Sequence, residues 1–124
     1  MKKIFMLFFL GTSPAALAIS PSAIDAYTQP QIFSNWLLTR CAGKAASDTA
    51  FRDDAFKSAS AWLEASHLPV DAFSDGDRLI DDYLKTDLTG SVAGNFRMLK
   101  CTLLSQSQDA KTVYSKYSAS PEQE

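Results

Sequence analysis

The chain is poor in the residues from which catalytic and metal sites are built. Its 124 residues include one histidine, His67, and two cysteines, Cys41 and Cys101. One imidazole and two thiols that are expected to be oxidised cannot assemble a tetrahedral zinc site. A thiol nucleophile with His67 as its base would need an exposed, free cysteine, whereas both cysteines fall inside amphipathic patterns. The carboxylate pairs Asp53 and Asp54, and Asp81 and Asp82, are sequence neighbours. On a helix such neighbours point about 100° apart and do not face one another across a substrate. No catalytic residue, cofactor or metal is expected.

Basic excess is also missing. Lys and Arg number 12 against 14 Asp and Glu, a formal charge of -2. This argues against a nucleic-acid partner, which requires cations to displace condensed counterions, and it permits a basic protein partner. The glycines at 90 and 94 are not followed by GK[ST], so no phosphate loop is read there. The run DGDRLIDD at 75–82 lacks the alternating oxygen ligands of a calcium loop. There is no linker, internal repeat or low-complexity tract.

Long hydrophobic runs are absent too. The apolar stretch Ile4 to Leu10 is too short to span a bilayer. It follows Met1-Lys2-Lys3 and leads to the small-x-small sequence Ala16-Leu17-Ala18, the pattern of an export signal cleaved after Ala18. The expected organisation is therefore a signal peptide, 1–18, and one soluble helical domain, 19–124, with no membrane contact after cleavage. Loss of Lys2 and Lys3 takes the formal charge from -2 to -4. In an oxidising compartment Cys41 and Cys101 are expected to pair within the chain. Closing that loop restricts the unfolded chain by roughly 4 kcal/mol, a large increment for so small a core.

What is present is helical periodicity. The stretch from Thr49 to Pro69 places Phe51, Ala55, Phe56, Ala59, Trp62 and Leu63 on one broad face and is expected to be the central helix. Ser47, Asp48 or Thr49 supplies its N-cap, and Pro69 stops it near Ser66. Pro30 opens an earlier helix with Phe33, Leu37, Cys41 and Ala45 on one face, while Ile32 and Trp36 form a second apolar patch. That patch is either core wrapped from two sides or part of a dimer interface, for which Ile32 and Trp36 are the candidates.

Further helices follow over 70–85, 96–107 and 109–117, with an extended or disordered start at 19–28 and a frayed end at 118–124. The fold expected is all-α, a small single-domain bundle of about five helices tied by one disulfide. Asp87 to Asn95, DLTGSVAGN, is the clear non-helical insert between two antiparallel helices. Thr89, Gly90, Ser91, Val92 and Asn95 are candidates for a protruding finger that enters another protein's groove. Asp77, Asp81 and Asp82 are candidates for an acidic face that steers a basic partner.

Four separated blocks, FSNWLLTRC at 33–41, SASAWLE at 58–64, LIDDYL at 79–84 and GSVAGNFRMLKC at 90–101, resemble the type VI secretion amidase immunity proteins of the fourth family. The resemblance implies a periplasmic antidote that binds a cognate amidase effector, a peptidoglycan hydrolase of papain-like fold, and blocks its active-site groove. It also implies a homodimer and a 2:2 heterotetramer with the toxin. An acid-stress periplasmic chaperone, which would loosen at low pH, and an inhibitor of another wall hydrolase such as lysozyme remain alternatives.

Overall fold

The computed structural model describes Gly11 and residues 21–119, and the expected signal peptide otherwise lies outside them. Among the described residues there are six helices and no strand: α1 (Pro21–Asp25), α2 (Gln29–Ala45), α3 (Thr49–Ala65), α4 (Val70–Lys85), α5 (Arg97–Ser105) and α6 (Gln108–Ser118). The short α1 occupies part of the start expected to be extended. None of these helices is long and apolar enough to cross a membrane.

The helix starts follow from capping chemistry. Thr28 and Gln31 form a reciprocal capping box at α2: the Gln31 amide donates to Thr28 Oγ1 at 3.4 Å and the Thr28 amide to Gln31 Oε1 at 3.0 Å. Asp48 accepts from the Phe51 amide at 2.8 Å to begin α3, and Ser107 accepts from Ala110 at 3.0 Å to begin α6. At the far end of α3 the Gln29 side chain replaces missing backbone partners. It donates to the Ala65 carbonyl at 3.1 Å and accepts from the His67 amide at 2.8 Å.

The hub is α2, not α3 as its periodicity suggests. Helix α2 packs against α3, α4, α5 and α6, and it buries Ile32, Phe33, Trp36, Leu37, Cys41, Ala42, Gly43 and Ala45. Helix α3 buries only Ala55 and Ala59, leaving Phe51 and Leu63 49% and 41% exposed. The reason is steric: Ala55 and Ala59 permit close approach, Phe56 and Trp62 pack partly buried beside them, and Phe51 and Leu63 are left outside. On the α2 side the matching small residue is Gly43, where a Cβ would fall 2.4 Å from the Phe56 ring.

Ile32 and Trp36 are 2% and 4% exposed, so the second apolar patch of α2 is core and these residues do not offer a dimer seam. Trp36 meets Phe73 edge-on at 4.8 Å between ring centroids and stacks on Phe33 at 5.9 Å. Gly76, expected only to weaken α4, is where the indole passes: a Cβ there would lie 2.6 Å from Trp36 Cζ3. Below this cluster Cys41 and Cys101, both fully buried, form a disulfide that joins α2 to α5 across 60 residues.

Helix α6 is fastened to α4 through Asp75. Its carboxylate accepts from the Tyr117 hydroxyl at 2.5 Å and from Lys116 Nζ at 3.3 Å, and it pairs with Arg78. These donors, Tyr117 foremost and Arg78 next, hold the Asp75 pKa at about 2, and the same contact pushes the Tyr117 hydroxyl up.

Candidate partner-binding surface

Helix α4 ends at Lys85 and α5 begins at Arg97, so the insert anticipated from its glycines is a non-helical loop. Thr89, Gly90, Ser91, Val92 and Asn95 are all exposed, Val92 to 69%. The loop carries a large apolar side chain at its tip, outside any fold contact that would hide it.

Its foot is held by three residues that periodicity alone assigns merely to the start of a helix. Arg97 Nη1 donates to the Ala45 carbonyl at 2.9 Å, at the end of α2. Lys100, only 8% exposed, donates through Nζ to the Leu84 carbonyl at 3.3 Å, in the last turn of α4. Both cations thus satisfy carbonyls that a helix end leaves open. Phe96, the N-cap of α5, has φ 52 and ψ 35, the one non-glycine residue with positive φ among those described. That conformation costs a bulky L-residue about 1–2 kcal/mol. The glycines, which sequence reasoning would place there, do not take it. The signal available in the sequence was the basic pair Arg97 and Lys100, one turn apart, directly after a glycine-bounded insert.

Beneath the loop lies a polar cavity of about 250 Å³ lined by Asp87, Leu88, Gly94, Asn95, Arg97 and Lys100 among others. A larger open cleft of about 590 Å³ sits elsewhere, between α2, α5 and α6, with Phe33, Ser34, Gln106 and Tyr114 in its walls. Part of its polar wall is already engaged, as Ser34 Oγ donates to the Ser105 carbonyl at 2.7 Å and accepts from Gln106 Nε2 at 2.8 Å.

The acidic face is largely neutralised within the chain. Asp77 accepts from Arg40 Nε at 2.9 Å and lies 3.4 Å from Lys44 Nζ, which also pairs with Asp81 at 2.9 Å. Asp77 and Asp81 therefore brace α4 against α2, and only Asp82 of the three stands outside these bridges as an exposed acid. Steering by this face is reduced accordingly.

Helix α5 divides its apolar residues between two faces. Lys100, Cys101, Leu104 and Ser105 point inward, whereas Met98, Leu99 and Leu103 are about half exposed, at 50%, 47% and 50%. The disulfide and the Lys100 contact fix the Cys101 and Leu104 side inward, which leaves Leu99 and Leu103 at the surface.

As for catalysis, both thiols are consumed by the disulfide. Among the described residues no group of three or more His, Cys, Asp or Glu could hold a metal ion.

The sequence profile of Tai4, described as a type VI secretion system amidase immunity protein, matches residues 31–114, which include both cysteines and the whole loop. The chain belongs to this family. Its fold is similar to a chain in the crystal structure of the type VI effector–immunity complex Tae4–Tai4 from Enterobacter cloacae. That match has 41% identity and a TM-score of 0.70, covering 74% of this chain and 94% of that one. A chain of the Tae4/Tai4 effector–immunity system from Salmonella typhimurium shares the fold at 24% identity and TM-score 0.69, covering 75% and 92%. So does one from a study of type VI-secreted toxins and self-resistance proteins in Serratia marcescens, at 21% identity and TM-score 0.76, covering 91% and 93%. Among curated proteins none matches. The loop and the half-exposed Met98, Leu99 and Leu103 of α5 are two candidate contact surfaces.

Proposed function

We propose that this protein is a periplasmic immunity protein that binds a type VI secreted peptidoglycan amidase and inhibits it by inserting the 87–96 loop into the enzyme's active-site groove. The observation that carries the reading is the loop itself. It is exposed, bears Val92 at 69% exposure, and is secured at its foot by Arg97 and Lys100 to two different helices. Family membership and the likeness to a chain of an effector–immunity complex support the partner class.

Inhibition of this kind is steric. It needs a few well-packed anchors within a standard interface of about 1,600 Å² and no catalytic group on the inhibitor. The protein acts by binding, not as an enzyme. Thr89, Gly90, Ser91, Val92 and Asn95 form the contact strip, with Asp82 at the edge of α4 as an auxiliary charge. Export directed by residues 1–18, which are cleaved off on translocation, delivers the chain to the compartment in which its disulfide persists.

The active form is a homodimer, with two copies engaging two toxins. Because Ile32 and Trp36 are core, the seam falls on the exposed Met98, Leu99 and Leu103 of α5, a patch that can meet its own copy about a two-fold axis.

The deciding experiment mixes purified 19–124 with a Tae4-type amidase and measures muropeptide cleavage. Inhibition at stoichiometric ratio is expected, and unchanged turnover at excess protein rejects the proposal. Charged or bulky replacements at Ser91 and Val92 should raise the inhibition constant without changing helicity or thermal unfolding. Inhibition of normal strength by such variants moves the binding site off the loop.

A further inference from the structure

The loop poses a physical puzzle. It contains two glycines, yet the left-handed conformation falls on the phenylalanine that follows them. A glycine at position 96 would adopt that conformation without strain, so the aromatic side chain must supply something a glycine cannot.

The surroundings of the ring identify it. A Cβ built on Gly90 would lie 3.9 Å from Phe96 Cζ, and one built on Gly94 would lie 3.8 to 4.0 Å from three atoms of the same ring. One side chain therefore faces both ends of the 90–94 segment, at a separation that would just admit a methyl group on either glycine. The left-handed backbone turns the ring back toward residues that precede it, instead of along α5. The Phe96 carbonyl still accepts the first α5 hydrogen bond, from the Lys100 amide at 2.9 Å, so the helix start is intact while the ring serves the loop.

We propose that Phe96 is a positioning residue: its ring is the internal core of the loop and holds Ser91, Val92 and Ala93 in their binding shape before a partner arrives. This rests on the reading of the loop as the inhibitory element and extends it to how the loop is made ready. An eleven-residue connector free to wander would have to be ordered on binding, and that ordering subtracts from affinity. With the ring between the glycines, and Arg97 and Lys100 clamping the foot, the ordering occurs during folding. The strain at Phe96 is the local counterpart of that arrangement.

Three variants separate the ring from the backbone. Phe96→Tyr keeps the ring, Phe96→Asn keeps tolerance of the left-handed region without a ring, and Phe96→Gly removes both ring and strain. The inhibition constant toward the amidase is expected to stay within about threefold for Tyr and to rise at least about tenfold for Asn and Gly. Thermal midpoints of Asn and Gly should equal or exceed the wild-type value, a combination that a merely structural role would not produce. Backbone relaxation of the isolated protein provides the second readout: amides 89–95 are ordered in wild type and Tyr, and mobile on the nanosecond scale in Asn and Gly.

Wild-type inhibition by the Asn variant, or equal loop order in all four proteins, overturns the inference while leaving the inhibitory function standing. If wild type itself does not inhibit, the functional reading fails separately, and the relaxation data still decide whether Phe96 orders the loop.

Discussion

Gly76 on α4 lies so close to Trp36 on α2 that a methyl group at position 76 would be placed 2.6 Å from the indole. The indole has no room to retreat, since it is 4% exposed and wedged between Phe33 and Phe73. Gly76→Ala should therefore destabilise the fold by about 1–3 kcal/mol, the usual cost of overpacking, even though alanine is the better helix former by about 1 kcal/mol. Chemical denaturation checks this. A stabilised variant would mean that α4 can slide along α2.

Replacing Cys41 and Cys101 together by alanine, or reducing the bond, should lower stability by roughly 4 kcal/mol, the loop-closure value for a 60-residue separation. The comparison is the urea midpoint with and without reductant. Both sulfurs are fully buried, so reduction should require partial unfolding and proceed slowly under native conditions.

The attachment of α6 should be acid-sensitive. The Asp75 carboxyl has its pKa lowered from 3.8 to about 2 by Tyr117, Arg78 and Lys116, so its contribution is complete above about pH 4 and disappears as the pH falls through about 2. The Tyr117 hydroxyl is shifted the other way, and its share is complete below pH 10 and lost above. Asp75→Asn should unfold earlier than wild type at pH 7, and the gap should narrow between about pH 4 and 2 and close below it. A gap independent of pH would show that shape, not charge, makes the contact.

Leu99→Glu combined with Leu103→Glu should leave the circular dichroism spectrum and thermal midpoint nearly unchanged, because both positions are about half exposed at 47% and 50%. Sedimentation should move from dimer to monomer. If the wild-type protein already sediments as a monomer at tens of micromolar, α5 is not the seam. Loss of inhibition with unchanged sedimentation would instead give this face to the toxin.

The legibility of the fold in the sequence varied with the kind of signal. Proline and cap residues placed boundaries well, as at Asp48, Pro69 and Pro30, because their effect is local and needs no neighbour. The cysteine pair was readable from the expectation of an oxidising compartment and from the amphipathic positions of both residues. Ranking the helices failed. The apolar wheels of α2 and α3 look alike, and only packing reveals that Ala55 and Ala59 make the contact while Phe51 stays half exposed at 49%.

Of the candidate binding surface, the loop was legible as a glycine-bounded break in periodicity. The acids at Asp77 and Asp81 looked free because their partners Arg40 and Lys44 lie 37 residues away in sequence. Phe96 was hidden for a different reason: residue preference assigns left-handed backbone to glycine, and here it falls on the phenylalanine whose ring faces Gly90 and Gly94.

The span of the disulfide has one more effect. The exposed loop at 87–96 falls between Cys41 and Cys101, so a protease that nicks it produces two pieces that cannot drift apart. A severed tip would remain tethered to its scaffold, and damage that would scatter an uncrosslinked bundle leaves here a single molecule with one broken peptide bond.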